Sequence, residues 1–161
     1  MKKVEQPPRR SGQASAIRRL VLYVEDNDDN WAVAEMRLAN NYRVLRAAND
    51  REACELFRTH ADNLYIVLMD IELKGSRLDG IALTKLLRAQ IPSAELPDYA
   101  RDVPPSNVPV IFVTAYHTTL TEELKAAGGN LVVPKPIEFM RLLRALTTMH
   151  LGAITPNKPR E

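Results

Sequence analysis

Leu20-Val21-Leu22-Tyr23-Val24 is apolar without a break and runs directly into Glu25-Asp26. A strand with one wet face alternates apolar and polar residues, whereas a strand covered on both faces reads as a continuous apolar run, the mark of a parallel sheet between helices. The same reading applies to Tyr65-Ile66-Val67-Leu68-Met69 and Val110-Ile111-Phe112-Val113, and to shorter runs at 42–45 and 131–133. Five strands are predicted. Helical spacing fills the intervals: 30–40; 50–59, with Ala53, Leu56 and Phe57 on one face; 79–90, with Ile81, Leu83, Leu86 and Leu87; 119–127, with Leu120 and Leu124; and 137–149, with Met140, Leu143 and Leu146. Asn49 or Asp50 can start the second helix, and Gly128-Gly129 can stop the fourth. Strands and helices that alternate through short links imply right-handed crossovers in one doubly wound α/β sheet.

The chain of 161 residues has room for one domain, placed here at 18–149, with tails at 1–17 and 150–161. Its 45% apolar and 26% charged residues are the balance of a globular protein. No apolar run approaches the ~18 residues of a membrane span, and the basic N-terminus lacks the apolar stretch of a secretory signal. Membrane insertion is not expected, and a cytoplasmic location is. The single cysteine, Cys54, cannot form an intramolecular disulfide and reads as core packing. The net charge is +2, yet residues 1–19 carry +5 and leave a mildly acidic body at −3. With Pro7, Pro8, Gly12 and no apolar period, the tail reads as a disordered arm. It is the one segment suited to nucleic acid or anionic lipid; a solubilising or linker role is the plainer reading. His60, His117 and His150 lack metal-ligand spacing, and Trp31 and Met36 read as core or interface packing.

In a doubly wound sheet the functional groups belong outside the carboxyl ends of the strands. The first strand ends in Glu25-Asp26, the third in Asp70 and the fourth in Thr114-Ala115, while the fifth runs into Lys135-Pro136. Three carboxylates, a hydroxyl and an ammonium thus converge on one rim. Carboxylates this close raise one another's pKa unless a cation joins them. A hard divalent ion resolves the conflict, and Mg²⁺ takes oxygen ligands while keeping positions for water or phosphate.

These four strand-end elements, in this order, resemble the receiver domain of two-component response regulators, over about residues 18–149. An acidic pair or a Lys-Pro alone is a weak signal; all four in order are a strong one. The resemblance implies a (βα)5 flavodoxin-like fold with strand order 2-1-3-4-5. It also implies that Asp70 accepts a phosphoryl group from a sensor histidine kinase or phosphotransfer protein, in a Mg²⁺-dependent reaction. Asp26 and Asp70 would bind the ion, Glu25 through water, and Glu72 through its backbone carbonyl. Thr114 and Lys135 would contact the phosphoryl oxygens. The peptide before Pro136 would be cis, which an X-Pro bond permits at ~0.5–1 kcal/mol. Output would come from phosphorylation-dependent binding of a downstream protein. The protein would then be a phosphoacceptor and not an enzyme, beyond slow loss of its own phosphoryl group, with Glu72 and Tyr116 tuning the access of water. Homodimers through the fourth helix, fifth strand and fifth helix are common in the family, as are monomers.

The sequence departs from the family pattern in four places. The segment Asp70-Ile71-Glu72-Leu73-Lys74-Gly75-Ser76-Arg77-Leu78-Asp79-Gly80 lacks the usual Met-Pro and is about two residues longer than usual. Val132 stands where a rotating aromatic is common, with Tyr116 as the nearest substitute. A connection at 91–108, holding Pro92, Pro97, Pro104 and Pro105, exceeds the ordinary ~4–6 residues and reads as a partner surface or stabilising flap, on the side opposite the rim. Few residues follow the fifth helix. Val132 and the altered loop motivate an alternative, a degenerate receiver that binds a protein without phosphorylation. A haloacid-dehalogenase-type phosphatase also uses a strand-end aspartate, but Glu72 stands where its second aspartate belongs, and there is no Gly-x-x-x-x-Gly-Lys loop for a nucleotide.

Overall fold

The computed structural model describes residues 17–116 and 119–154, with side chains through 149. The expectations for the basic tail through residue 16, for His117, for the His150 side chain and for the tail beyond 154 lie outside these residues. Five parallel strands, β1 (Arg19–Val24), β2 (Tyr42–Ala47), β3 (Leu64–Asp70), β4 (Val110–Thr114) and β5 (Leu131–Pro134), lie in the order β2-β1-β3-β4-β5. Five helices alternate with them: α1 (Asp28–Leu38), α2 (Asp50–Thr59), α3 (Gly80–Leu87), α4 (Glu122–Ala126) and α5 (Phe139–Ile154). This is the flavodoxin-like receiver fold.

The continuous apolar strands are covered on both faces, as their pattern required. On one side Leu22, Val24, Val67, Met69 and Phe112 meet Phe57 of α2, Leu83 and Leu87 of α3, and Leu124 of α4. On the other, Val21, Tyr23, Ile66, Leu68 and Ile111 meet Ala34 and Leu38 of α1 and Leu142 and Leu146 of α5. Cys54 is buried in the first layer, and its thiol is pushed up to about 12 by burial and the nearby Asp50 charge, so it is inert packing.

Helix limits follow caps more closely than apolar spacing. The Asn27 side chain accepts from the Asn30 amide and starts α1 at Asp28, two residues before the predicted start. Asp79 caps α3, which stops at Leu87, short of the predicted 90, with Ala89 in a left-handed conformation. Thr121 caps α4, a single short helix inside the predicted 119–127. Asn49, not Asp50, caps α2. α5 runs on to Ile154, past the predicted 149.

Segment 91–108 is ordered, with short 3-10 turns at Ser93–Glu95 and Asp98–Ala100. Leu96, Ala100, Val103 and Val108 are buried in the layer beneath α2 and α3. The Arg88 guanidinium donates to the carbonyls of Ser106, Val108 and Gly128, at 2.7, 2.8 and 2.9 Å. The segment enters β4 at its N-terminal end, as expected, yet it does not keep to that side of the molecule. Tyr99 climbs along α2 to Asp50, on the rim that carries the strand ends.

Candidate functional site

Strand order reverses at β1, so the crevice opens above β1 and β3. Register sets the rest of the rim. Asp70 pairs with Val113, which leaves Thr114 one residue beyond, and Thr114 pairs with Pro134, which puts Lys135 next. The Lys135-Pro136 peptide is cis, as expected, and the Lys135 ammonium lies 2.6 Å from Asp70 Oδ2 and 2.7 Å from Glu25 Oε2. Glu25, Asp26 and Asp70 each bring a carboxylate oxygen within 4.8 Å of the others. They line an open cleft of about 630 Å³ with Glu72, Lys74, Thr114, Tyr116 and Lys135. A cluster of hard oxygen donors facing an open cleft could hold a metal ion.

The charges are unequal in kind. Burial pushes the Glu25 carboxyl up, but the Lys135 ammonium, the Asn27 amide and the Tyr23 hydroxyl outweigh it and hold the group below its ordinary value. For Asp70 burial prevails over the Lys135 contact, with the Glu25 charge adding to it, and the pKa is raised. Lys135, despite burial, is held above its ordinary value by the two carboxylates. The cluster thus favours Glu25 as an anion and Lys135 as a cation, and disfavours the charge on Asp70.

The response regulator receiver domain profile matches residues 21–147, most of the chain. The chain belongs to the response regulator receiver domain family. This receiver is 31% identical over 134 residues to the polar-differentiation response regulator DivK of Brucella anthropi, covering 82% of the chain and 95% of that protein. In structure it is similar to the receiver domain of the Francisella response regulator 1452, with a TM-score of 0.65 and 22% identity over 84% of this chain and 98% of that one. It is also similar to a chain of the Saccharomyces cerevisiae complex of the histidine phosphotransfer protein Ypd1 with the Ssk1 receiver domain, with a TM-score of 0.62 and 23% identity over 81% and 87% of the two chains.

Other expected residues sit as follows in this receiver. Thr114 is buried, its hydroxyl accepting from the Tyr116 amide at 3.2 Å. Tyr116 is exposed at the lip of the cleft. Val132 is buried beside Phe112 in the α2–α4 layer, too small and enclosed to act as a rotating aromatic. Glu72 is exposed and its amide donates to Asp70 Oδ1 at 3.2 Å. Among the described residues no helix is long and apolar enough to cross a membrane.

Three residues that sequence reasoning passed over complete the rim. Tyr23 donates to Glu25 Oε2 at 2.8 Å; the signal was present, since residues two apart in a strand share a face. Arg46 of β2 donates to the carbonyls of Glu25 and Asp26 at 3.0 and 3.1 Å and pairs with Asp28 at 2.7 Å, fixing the turn from β1 to α1. Nothing in its sequence surroundings sets it apart from a solvated edge-strand arginine. Asp50 looked like one of two cap candidates for α2 and instead faces the loop that follows Asp70.

Proposed function

We propose that this receiver accepts a phosphoryl group on Asp70 and signals by binding a protein partner according to whether that group is present. The observation that carries the reading is the Lys135 ammonium bridging Asp70 and Glu25 at one corner of a cleft that three carboxylates share. The donor set fits Mg²⁺, which Asp26, Asp70 and the Glu72 backbone carbonyl would hold, with Glu25 acting through water. When bound, the ion neutralises charge on the phosphoryl oxygens.

The chain's own residues do the rest. An Asp70 oxygen attacks phosphorus; the new O–P bond forms as the bond from phosphorus to the donor's imidazole nitrogen breaks, and the electron pair leaves with the imidazole. Lys135, already in contact with Asp70, compensates charge on the transferred group, and the Thr114 hydroxyl donates to one of its oxygens. The incoming group brings about −1.5 to −2 charge, enough to reorganise the hydrogen bonds of the surrounding loops and so change the surface a partner meets. Glu72 and Tyr116, exposed beside the cleft, are placed to tune the approach of water to the phosphorylated Asp70. A sensor histidine kinase or phosphotransfer protein is the donor; the fold's likeness to a chain of the Ypd1–Ssk1 complex supports a donor of this kind.

Incubation with acetyl phosphate and Mg²⁺, followed by intact mass, tests the reading. Wild type should gain one phosphoryl group, and Asp70→Asn, or wild type in EDTA, should gain none. Labelling that persists in Asp70→Asn would overturn it. A second reading, a binding module indifferent to phosphorylation, is favoured by Val132, which leaves the fifth strand without the aromatic readout. Partner affinity unchanged by acetyl phosphate would make that reading the better one.

A further inference from the structure

Two departures from the family pattern, the long segment after Asp70 and the insertion at 91–108, meet at one side chain. Asp50, 3% exposed, stands at the first residue of α2. Its Oδ2 accepts from the amides of Arg77 and Leu78, at 3.1 and 3.0 Å, and from the Tyr99 hydroxyl in a short hydrogen bond. Its own amide donates to Ser76 Oγ at 3.1 Å. One residue therefore holds three consecutive positions of the segment after Asp70, and the insertion supplies the cover. Tyr99 is fixed in turn: the Arg51 guanidinium lies over its ring at 4.2 Å, and Arg58 donates to its carbonyl at 2.8 Å while pairing with Asp102.

The other end of the same segment touches the cleft. The Glu72 amide donates to Asp70 Oδ1 and the Lys74 amide to Asp26 Oδ2, each at 3.2 Å. Between these ends Leu73 is buried in the core and its carbonyl accepts from the Ser76 amide at 3.2 Å, while Gly75 sits at a positive φ of 76° with open surroundings. A longer loop has more conformations to lose, and the buried carboxylate with its phenol partner removes them together with the burial of Leu73 and Leu78.

We propose that Asp50 and Tyr99 are positioning residues for the acceptor site: the insertion acts through them to hold segment 72–78 in the conformation that presents the Glu72 and Lys74 backbone to Asp70 and Asp26. The proposal rests on the phosphoacceptor reading given above. It accounts for both departures at once, since the extra loop length and the inserted segment are two halves of one hydrogen-bonded unit centred on the buried Asp50. A buried carboxylate with three donors is strongly held, and removing one partner leaves the others unsatisfied, so its effect on the loop exceeds that of a surface contact.

The test uses the full chain as wild type, Asp50→Ala, Tyr99→Phe and, as a control on the insertion that leaves the Asp50 hydrogen bonds in place, Asp98→Asn, which removes the exposed charge pair with Arg101. Amide hydrogen exchange reads the loop, and the initial rate of acetyl phosphate labelling with Mg²⁺ reads the site. In Asp50→Ala the Arg77 and Leu78 amides should exchange about tenfold faster or more. Labelling should slow by about tenfold, the scale seen when the supports of a metal site are removed. Tyr99→Phe keeps the ring and loses the hydroxyl, and should fall between Asp50→Ala and wild type; Asp98→Asn should match wild type in both measurements. Faster exchange in Asp50→Ala with unchanged labelling would overturn the positioning role, as would unchanged exchange. Slowed labelling in Asp98→Asn would overturn it too, by showing a general effect of the insertion. If wild type itself takes no label, the phosphoacceptor reading fails, and this assignment falls with it.

Discussion

Asp70 is a carboxylate of the cleft whose ionisation burial disfavours. Its raised pKa means that the native state binds a proton more tightly than the unfolded chain, so its charge is a cost that opens as pH rises above the ordinary 3.8 and is complete above the raised native value. Asp70→Asn removes that cost and keeps the shape. In EDTA at neutral pH the variant should melt above wild type. The gap should close as pH falls to the ordinary carboxylate value, and Mg²⁺ should narrow it by stabilising wild type through binding. A variant that melts lower at neutral pH would show that the Lys135 contact outweighs burial. At this scale Glu25, Asp26, Asp70, Thr114 and Lys135 were legible because polar residues at the ends of apolar strands stand out. Tyr23, Arg46 and Asp50 were not, because a tyrosine in a strand, an arginine on an edge and an aspartate at a helix start each have an ordinary local explanation. Only the three-dimensional meeting of β1 with β2, or of α2 with a loop 26 to 28 residues further on, gives them a role.

Among the elements, α3 shows how closely the site and the scaffold are joined. Gly80, its first residue, follows the segment after Asp70, and a Cβ built there would lie 2.0 Å from the Asp70 carbonyl oxygen. Alanine gains about 1 kcal/mol over glycine in an unhindered helix. Here the contact is with backbone that cannot swing aside, and overpacking of about 1–3 kcal/mol should win. Gly80→Ala is expected to lower the urea midpoint and to slow acetyl phosphate labelling, because the displaced atoms belong to Asp70 itself; a variant as stable as wild type and labelled at its rate would refute this. The existence and order of all ten elements followed from apolar runs and helical spacing. Their limits did not, since single side chains such as Asn27, Asp79 and Thr121 decide where a helix starts, and apolar periodicity carries no record of them.

For the molecule as a whole, alternation of strand and helix was enough to anticipate a parallel doubly wound sheet with the reactive groups on one rim. The course of residues 91–108 was out of reach, because a proline-rich connection has no period from which its docking surface can be read. Its buried Leu96, Ala100 and Val103, together with the Arg58 contacts, make it part of the core and not an appendage. That has a consequence for how the chain meets a protease. Cleavage needs several residues of backbone to leave the surface and extend through an enzyme's cleft, and Arg101, although exposed, sits where the chain is held on both sides. Trypsin should therefore cut after Arg101 slowly in wild type and markedly faster in Arg58→Ala, read by mass along a time course; equal rates would mean that the segment opens without breaking those contacts. The longest connection in the domain, the place where a nick would ordinarily be sought first, is in this chain expected to be one of its more durable stretches.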